Sequence, residues 1–166
     1  MRILGLDPSL RSTGFGILDE GEGGITVLAR GTIRPGRELA MEKRVNAVRE
    51  GVESLIREHA PREAAVENPF YSRNVRTALT LGQVRGAVMA AVASRGVPLF
   101  EYSALEIKKA VTGYGHADKL QVASMVRTLL RMEEDALEED AADALAAALC
   151  HLNIRAFQKT VEESGG

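Results

Sequence analysis

The stretch that most constrains this chain is its beginning, where residues 2–9 (Arg-Ile-Leu-Gly-Leu-Asp-Pro-Ser) lead into residues 13–18 (Thr-Gly-Phe-Gly-Ile-Leu). Ile3, Leu4 and Leu6 form a short apolar run of the kind that makes a strand buried on both faces. The run stops at Asp7, which a proline follows. Gly14 and Gly16 lie in a second strand-like run, and glycine inside a strand marks close approach by another group. A carboxylate ending a buried strand beside a glycine-rich returning strand is poor for stability and well suited to hold a metal ion near a phosphate. Asp-Pro also starts turns, and on this stretch alone the turn is the simpler reading.

The chain has 166 residues with 45% hydrophobic content, which suits one compact domain with a full core. No apolar run is long enough to span a bilayer, and Met1-Arg2-Ile3 does not open a signal peptide. Cys150 is the single cysteine, so it makes no internal disulfide, and its leucine neighbours predict a buried thiol. A cytoplasmic location is expected. The net charge of −2 gives no bulk sign of nucleic acid, so any basic footprint must be local.

Residues 24–33 read as a third strand after a glycine-rich turn, giving an antiparallel meander. From Glu38 to about Ala60 the period becomes helical, with Met41, Val45, Val48, Val52 and Leu55 on one face. Residues 64–67 form a short buried strand that again closes on an acid, Glu67. A helix over 74–94, a strand over 97–102 and a helix over 103–111 follow. Asp118 then caps a helix with an apolar stripe from Val122 to Leu130, and a last helix is expected over 138–157. A meander followed by helix-separated strands indicates an α/β sandwich, a mixed sheet with helices on its faces.

Asp7 and Glu67 both end buried strands, and in open α/β sheets sites gather beyond the carboxyl ends of strands. Asp140 and Asp143 are three apart on a helix, hence on one face and about 4.5 Å apart along its axis. The alanines around them would let that helix lie close to a sheet. Acids at a helix start ordinarily cap it and complement its dipole, and alone this pair reads first as a cap. Carboxylates gathered together would repel unless a cation neutralised them, and all-oxygen ligation favours Mg²⁺ or Mn²⁺. His151, about three turns beyond Asp140, is too far to share an ion with both aspartates and reads as a surface or outlying residue. Lys108, Lys109 and Lys119 surround a glycine-rich break, while Arg73, Arg76 and Arg85 lie on and around the second helix. These, with Phe70 and Tyr71 in the loop before that helix, would hold phosphates if they flank the acids, and otherwise form a solvated face.

Taken together, these segments resemble the RuvC family of Holliday junction resolvases over nearly the whole chain. The resemblance is carried by Gly5-Leu6-Asp7-Pro8 with Thr13-Gly14-Phe15-Gly16, and by Ala65-Val66-Glu67 with Phe70 and Asn74. It continues in residues 78–86 (Ala-Leu-Thr-Leu-Gly-Gln-Val-Arg-Gly), in Lys119-Leu120-Gln121-Val122, and in residues 140–146 (Asp-Ala-Ala-Asp-Ala-Leu-Ala). It implies an RNase H-like fold: a mixed five-stranded sheet, antiparallel meander then parallel strands, flanked by helices on both faces. Residues 1–157 would form one nuclease domain and 158–166 a flexible tail.

The activity it implies is metal-dependent endonuclease cleavage of four-way junctions by a homodimer, in recombination and repair, with a branch-migration helicase complex as partner. The implied catalytic acids and metal ligands are Asp7, Glu67, Asp140 and Asp143, holding Mg²⁺ or Mn²⁺, two ions per site. Paired symmetric nicks would leave 5′-phosphate and 3′-hydroxyl ends. Lys108 and Lys119 fall on the family's DNA-contacting lysines, and Phe70 on its junction-contacting aromatic. Ser9 departs from the family's usual glycine after Asp-Pro, and would be strained if the position needed a positive φ. Two alternatives are a junction-binding module without cleavage and an ATP-binding protein of the actin and sugar-kinase type. The latter needs two such domains to close over a nucleotide, and the chain length supplies one.

Overall fold

The opening hairpin is the centre of the sheet. In the computed structural model, which describes residues 1–68, 74–132 and 137–164, β1 (Arg2–Asp7) pairs antiparallel with β2 (Thr13–Gly21), and β2 with β3 (Gly24–Ile33). After helix α1 (Met41–His59), the chain returns as β4 (Glu63–Asn68), parallel to β1 on its other side. Helix α2 (Val75–Ser94) leads to β5 (Leu99–Ser103), parallel to β4. The strand order is therefore β3-β2-β1-β4-β5, with α3 (Ala104–Thr112), α4 (Lys119–Leu129) and α5 (Glu139–Ser164) completing the chain.

Strand alternation sends side chains into two cores. Ile3, Leu18, Ala65 and Tyr102 pack with α3, α4 and α5, including the buried Cys150. Leu4, Leu6, Ile17, Ala64 and Val66 pack with Val48, Val52 and Ile56 of α1 and Val84, Val88, Ala91 and Val92 of α2. Both faces of the sheet are thus covered, which is why β1 is apolar almost throughout.

Helix α5 lies directly on the hairpin because glycines leave it room. A Cβ on Gly14 would overlap the Asp140 carbonyl, one on Gly5 the Ala144 carbonyl, and one on Gly16 the Leu145 side chain. Ala141, Ala144, Ala147 and Ala148 supply the matching low relief on the helix, all nearly or fully inaccessible. The close approach read from Gly14 and Gly16 is this helix.

Several expectations are corrected. The last helix continues past Phe157 to Ser164, since no glycine or proline interrupts good helix formers before Gly165. β5 begins at Leu99 rather than Val97; Gly96, at φ +67°, turns the chain, and Pro98 has no N–H for the ladder. His151 is a buried residue, 1% exposed, with Nδ1 2.6 Å from the Tyr102 hydroxyl and Nε2 2.6 Å from Glu63. Ser9 is not strained: the non-glycine residues with positive φ among those described are Ala60 and Arg131. Its carbonyl instead accepts from the Thr13 hydroxyl at 2.6 Å, and its own hydroxyl accepts from the Arg11 N–H at 3.3 Å. Among the described residues, no helix is long and apolar enough to cross a membrane.

Candidate active site

Pairing register brings the acids together. β1 and β4 run parallel with Leu6 opposite Val66, so Asp7 and Glu67 end adjacent strands on the same edge of the sheet. Gly14 pairs with Asp7 across the hairpin and lies under the backbone of Asp140. Asp143 follows one turn along α5. Neither aspartate is the helix cap, because α5 begins at Glu139 and Asp140 already lies inside its first turn. Asp140 is thus off the cap position, although as an acid of the first turn it still complements the helix dipole.

Two lysines complete the surroundings. Lys119, the first residue of α4, stands 3.0 Å from Asp143 Oδ2 and also pairs with Glu139. Asp118 before it closes a capping box with Gln121, which fixes the direction from which Lys119 approaches. Lys108 comes from α3, whose own capping box joins Ser103 and Glu106. Together Glu67, Lys108, Lys119 and Asp143 line a cavity of about 290 Å³ floored by Ile107, Val122 and Ala146.

Charge in this cluster is unbalanced. Burial, then the charges of Asp143, Asp140 and Glu67, push the Asp7 carboxyl from its ordinary 3.8 up to about 7, while Lys119 works the other way. Burial and Asp143 raise Glu67, against Lys108 and Lys119. Asp143 is likewise raised, burial leading, despite its bond to Lys119. Desolvation works against the Lys119 charge, but its bonds to Glu139 and Asp143 hold it above the usual lysine range. Such mutual perturbation of acids in a cleft is a mark of a functional site.

The donor set is all carboxylate oxygen, which suits a hard divalent cation, and a cation is what would relieve the repulsion around Asp7. As placed, the side chains do not close into a ligand cage: among the described residues no group of three or more His, Cys, Asp or Glu stands close enough to hold one ion.

The structure brings Asp7, Glu67, Asp140, Asp143, Lys108 and Lys119 into one neighbourhood. Lys109 is exposed on α3 and does not line the cavity, and Arg76 is exposed on the first turn of α2. Phe70, Tyr71 and Arg73 lie outside the described residues. Arg85 is not part of a solvated face. It is largely buried, donates to the Glu67 carbonyl at 2.8 Å and pairs with Glu101 at 2.6 Å, pinning the end of β4. Glu139, which anchors Lys119, was also missed, hidden within an acidic run whose members look alike in sequence.

Comparison with known proteins places the chain in a family. The family model described as crossover junction endodeoxyribonuclease RuvC matches residues 3–151. A crossover junction endodeoxyribonuclease RuvC from Halorhodospira halophila is 46% identical over 164 residues, covering 99% of this chain and 97% of that protein. One from Brevibacillus brevis is 40% identical, covering 95% of each chain. Among solved structures, T. thermophilus RuvC in complex with Holliday junction substrate superposes with a TM-score of 0.88 at 31% identity, over 95% of this chain and 96% of that one. The sheet with its flanking helices is an RNase H-like fold. With the family model spanning both sheet-end acids and the start of α5, this chain belongs to the RuvC family of crossover junction endodeoxyribonucleases.

Proposed function

We propose that this protein is the endonuclease that its family membership names: it resolves Holliday junctions by paired, symmetric nicking during DNA recombination and repair. The observation that carries the reading is the convergence of Asp7, Glu67, Asp140 and Asp143 at one sheet edge, with Lys108 and Lys119 lining the cavity beside them. Nucleases of this family depend on divalent metal. The four carboxylates would hold Mg²⁺ or Mn²⁺, two ions per site. Bound there, they would supply an activated water and charge stabilisation at the leaving 3′ oxygen, giving 5′-phosphate and 3′-hydroxyl ends.

The chain's own residues account for the rest. Asp7 ends a β-strand that lies between two neighbours, while Asp140 and Asp143 ride on a helix seated against backbone. Lys108 and Lys119 hold phosphate oxygens at the cavity rim and offset the charge of the acids as the strand approaches. Lys109 and Arg76 extend the basic surface outward, with Phe70, Tyr71 and Arg73 meeting the junction itself.

Paired incision requires two sites, and a two-fold mate would pack on the outer face of α2. Leu79, Gly82, Gly86, Met89, Ala90 and Ala93 all face outward, whereas Val84, Val88, Ala91 and Val92 fill the core. A branch-migration helicase complex is the remaining partner in this reading. Incubating the protein with a synthetic four-way junction and with linear duplex, each with chelator or Mg²⁺, tests it. Metal-dependent cutting of the junction alone is expected; equal cutting of both substrates, or none, overturns it.

A further inference from the structure

A second cleft, of about 710 Å³, meets the same first turn of α5. It lies between the β1–β2 turn and residues 34–37 after β3, and Ser12, Arg11, Arg34 and Arg37 line it together with Asp140. Its charge balance differs from that of the acid cluster. Arg34 is engaged by Glu138, which also accepts from the Thr32 hydroxyl at 3.1 Å, and Glu139 is turned to Lys119. Arg11 and Arg37, both exposed, make no ion pair with any described residue.

Ser12 is the independent observation. The residue is 7% exposed, and among the described residues its hydroxyl oxygen has no hydrogen-bond partner. Neighbouring hydroxyls are satisfied: Thr13 donates to the Ser9 carbonyl, and Ser9 accepts from the Arg11 N–H. The turn is also held from outside, since Arg44 of α1 donates to the Leu10 carbonyl at 3.2 Å. A buried hydroxyl left unpaired in a braced turn is a standing cost that a ligand oxygen would remove. The groups offered are guanidinium N–H and a hydroxyl O–H, which suit an oxyanion with several acceptor oxygens.

We propose that this cleft is a second phosphate site, which takes a backbone phosphate neighbouring the scissile one as the DNA strand passes over Asp140. Arg11 and Arg37 supply the charge and Ser12 the single buried hydrogen bond. The site lies across the first turn of α5 from Lys108 and Lys119, so it grips the strand on the side those lysines leave open. It rests on the junction-cleaving reading and extends it by naming how the strand is held in register.

The test measures junction binding in chelator over a range of salt for wild type, the double variant Arg11→Ala/Arg37→Ala, and Ser12→Ala. It is repeated with junctions carrying one neutral methylphosphonate at each position around the nick. The double variant should bind roughly tenfold more weakly, with a salt slope lower by about two. One flanking methylphosphonate should weaken wild-type binding severalfold and leave the double variant unaffected. Ser12→Ala should bind severalfold more weakly with its melting temperature unchanged or raised, because an unpaired hydroxyl has been removed. Both arginines are exposed, so loss of fold does not confound the double variant. Variants that match wild type in slope and in methylphosphonate sensitivity overturn the site while leaving junction cleavage standing. A wild type that neither binds nor nicks junctions removes the reading beneath it, and this proposal falls with that reading.

Discussion

Asp7 is held in a place that costs the free protein stability. Its carboxyl, raised from 3.8 to about 7 by burial and its acidic neighbours, keeps a proton that the unfolded chain has already released between those values. Its contribution to stability therefore falls as pH rises through that window and is flat above it. Asp7→Asn removes this penalty, on the order of 2 kcal/mol after allowing for relaxation of the cluster. In chelator, the melting temperature of the variant should exceed that of wild type by a margin that widens from about pH 4 to 7 and then levels. The same variant should lose nicking by a factor on the order of a thousand or more, with junction binding kept or strengthened. Nicking within tenfold of wild type would show that Asp7 is not a ligand. Lys108→Ala and Lys119→Ala should each lower the salt slope of binding by about 0.9, and an unchanged slope would place that lysine off the phosphates. The acids and lysines were legible as types and positions, since each acid ends an apolar run or opens an alanine-rich one. The unpaired hydroxyl of Ser12 was not, because orphaning depends on what the fold fails to bring near it.

Among the elements, α5 is the one on which the site depends, and it is seated by contacts with no tolerance. Gly14→Ala would set a methyl against the Asp140 carbonyl, so the helix must lift or the hairpin must bend. Overpacking of this kind costs about 1–3 kcal/mol, and here it also displaces the Asp140 carboxylate that the proposed function assigns to metal binding. The variant should fold with a lowered melting temperature and nick at least a hundredfold more slowly; wild-type cutting by a destabilised Gly14→Ala would show that α5 need not be seated closely. Element order was readable because apolar period changes mark each strand and helix, and Gly14 and Gly16 announced the close neighbour. Element ends were less so. α5 runs on to Ser164 because its last turns are stabilised by propensity on an exposed face, where no apolar stripe reports them. His151 was misplaced for the converse reason: its partners Tyr102 and Glu63 come from two strands of the sheet, 49 and 88 residues away.

For the whole molecule, the proposed dimer would use the outer face of α2 to set two sites against one junction. Gly82 and Gly86 face open space, so a Cβ there meets nothing within 4 Å among the described residues. Each glycine costs a helix roughly 1 kcal/mol against alanine, which close approach by another backbone would offset. Gly86→Leu should therefore fold at least as stably as wild type, sediment as a monomer and cut one strand at a time; a dimer of wild-type strength would place the interface elsewhere. The central claim is that paired acid clusters cut two strands of one junction, and the most direct measurement follows both strands at once. A synthetic four-way junction labelled on two strands of like polarity is incubated with wild type in Mg²⁺, in chelator, and with Asp7→Asn. Symmetric nicks on both strands in Mg²⁺, absent in chelator and in Asp7→Asn, are the result predicted. Nicks that persist in Asp7→Asn, or that fall as readily on linear duplex, would contradict the account.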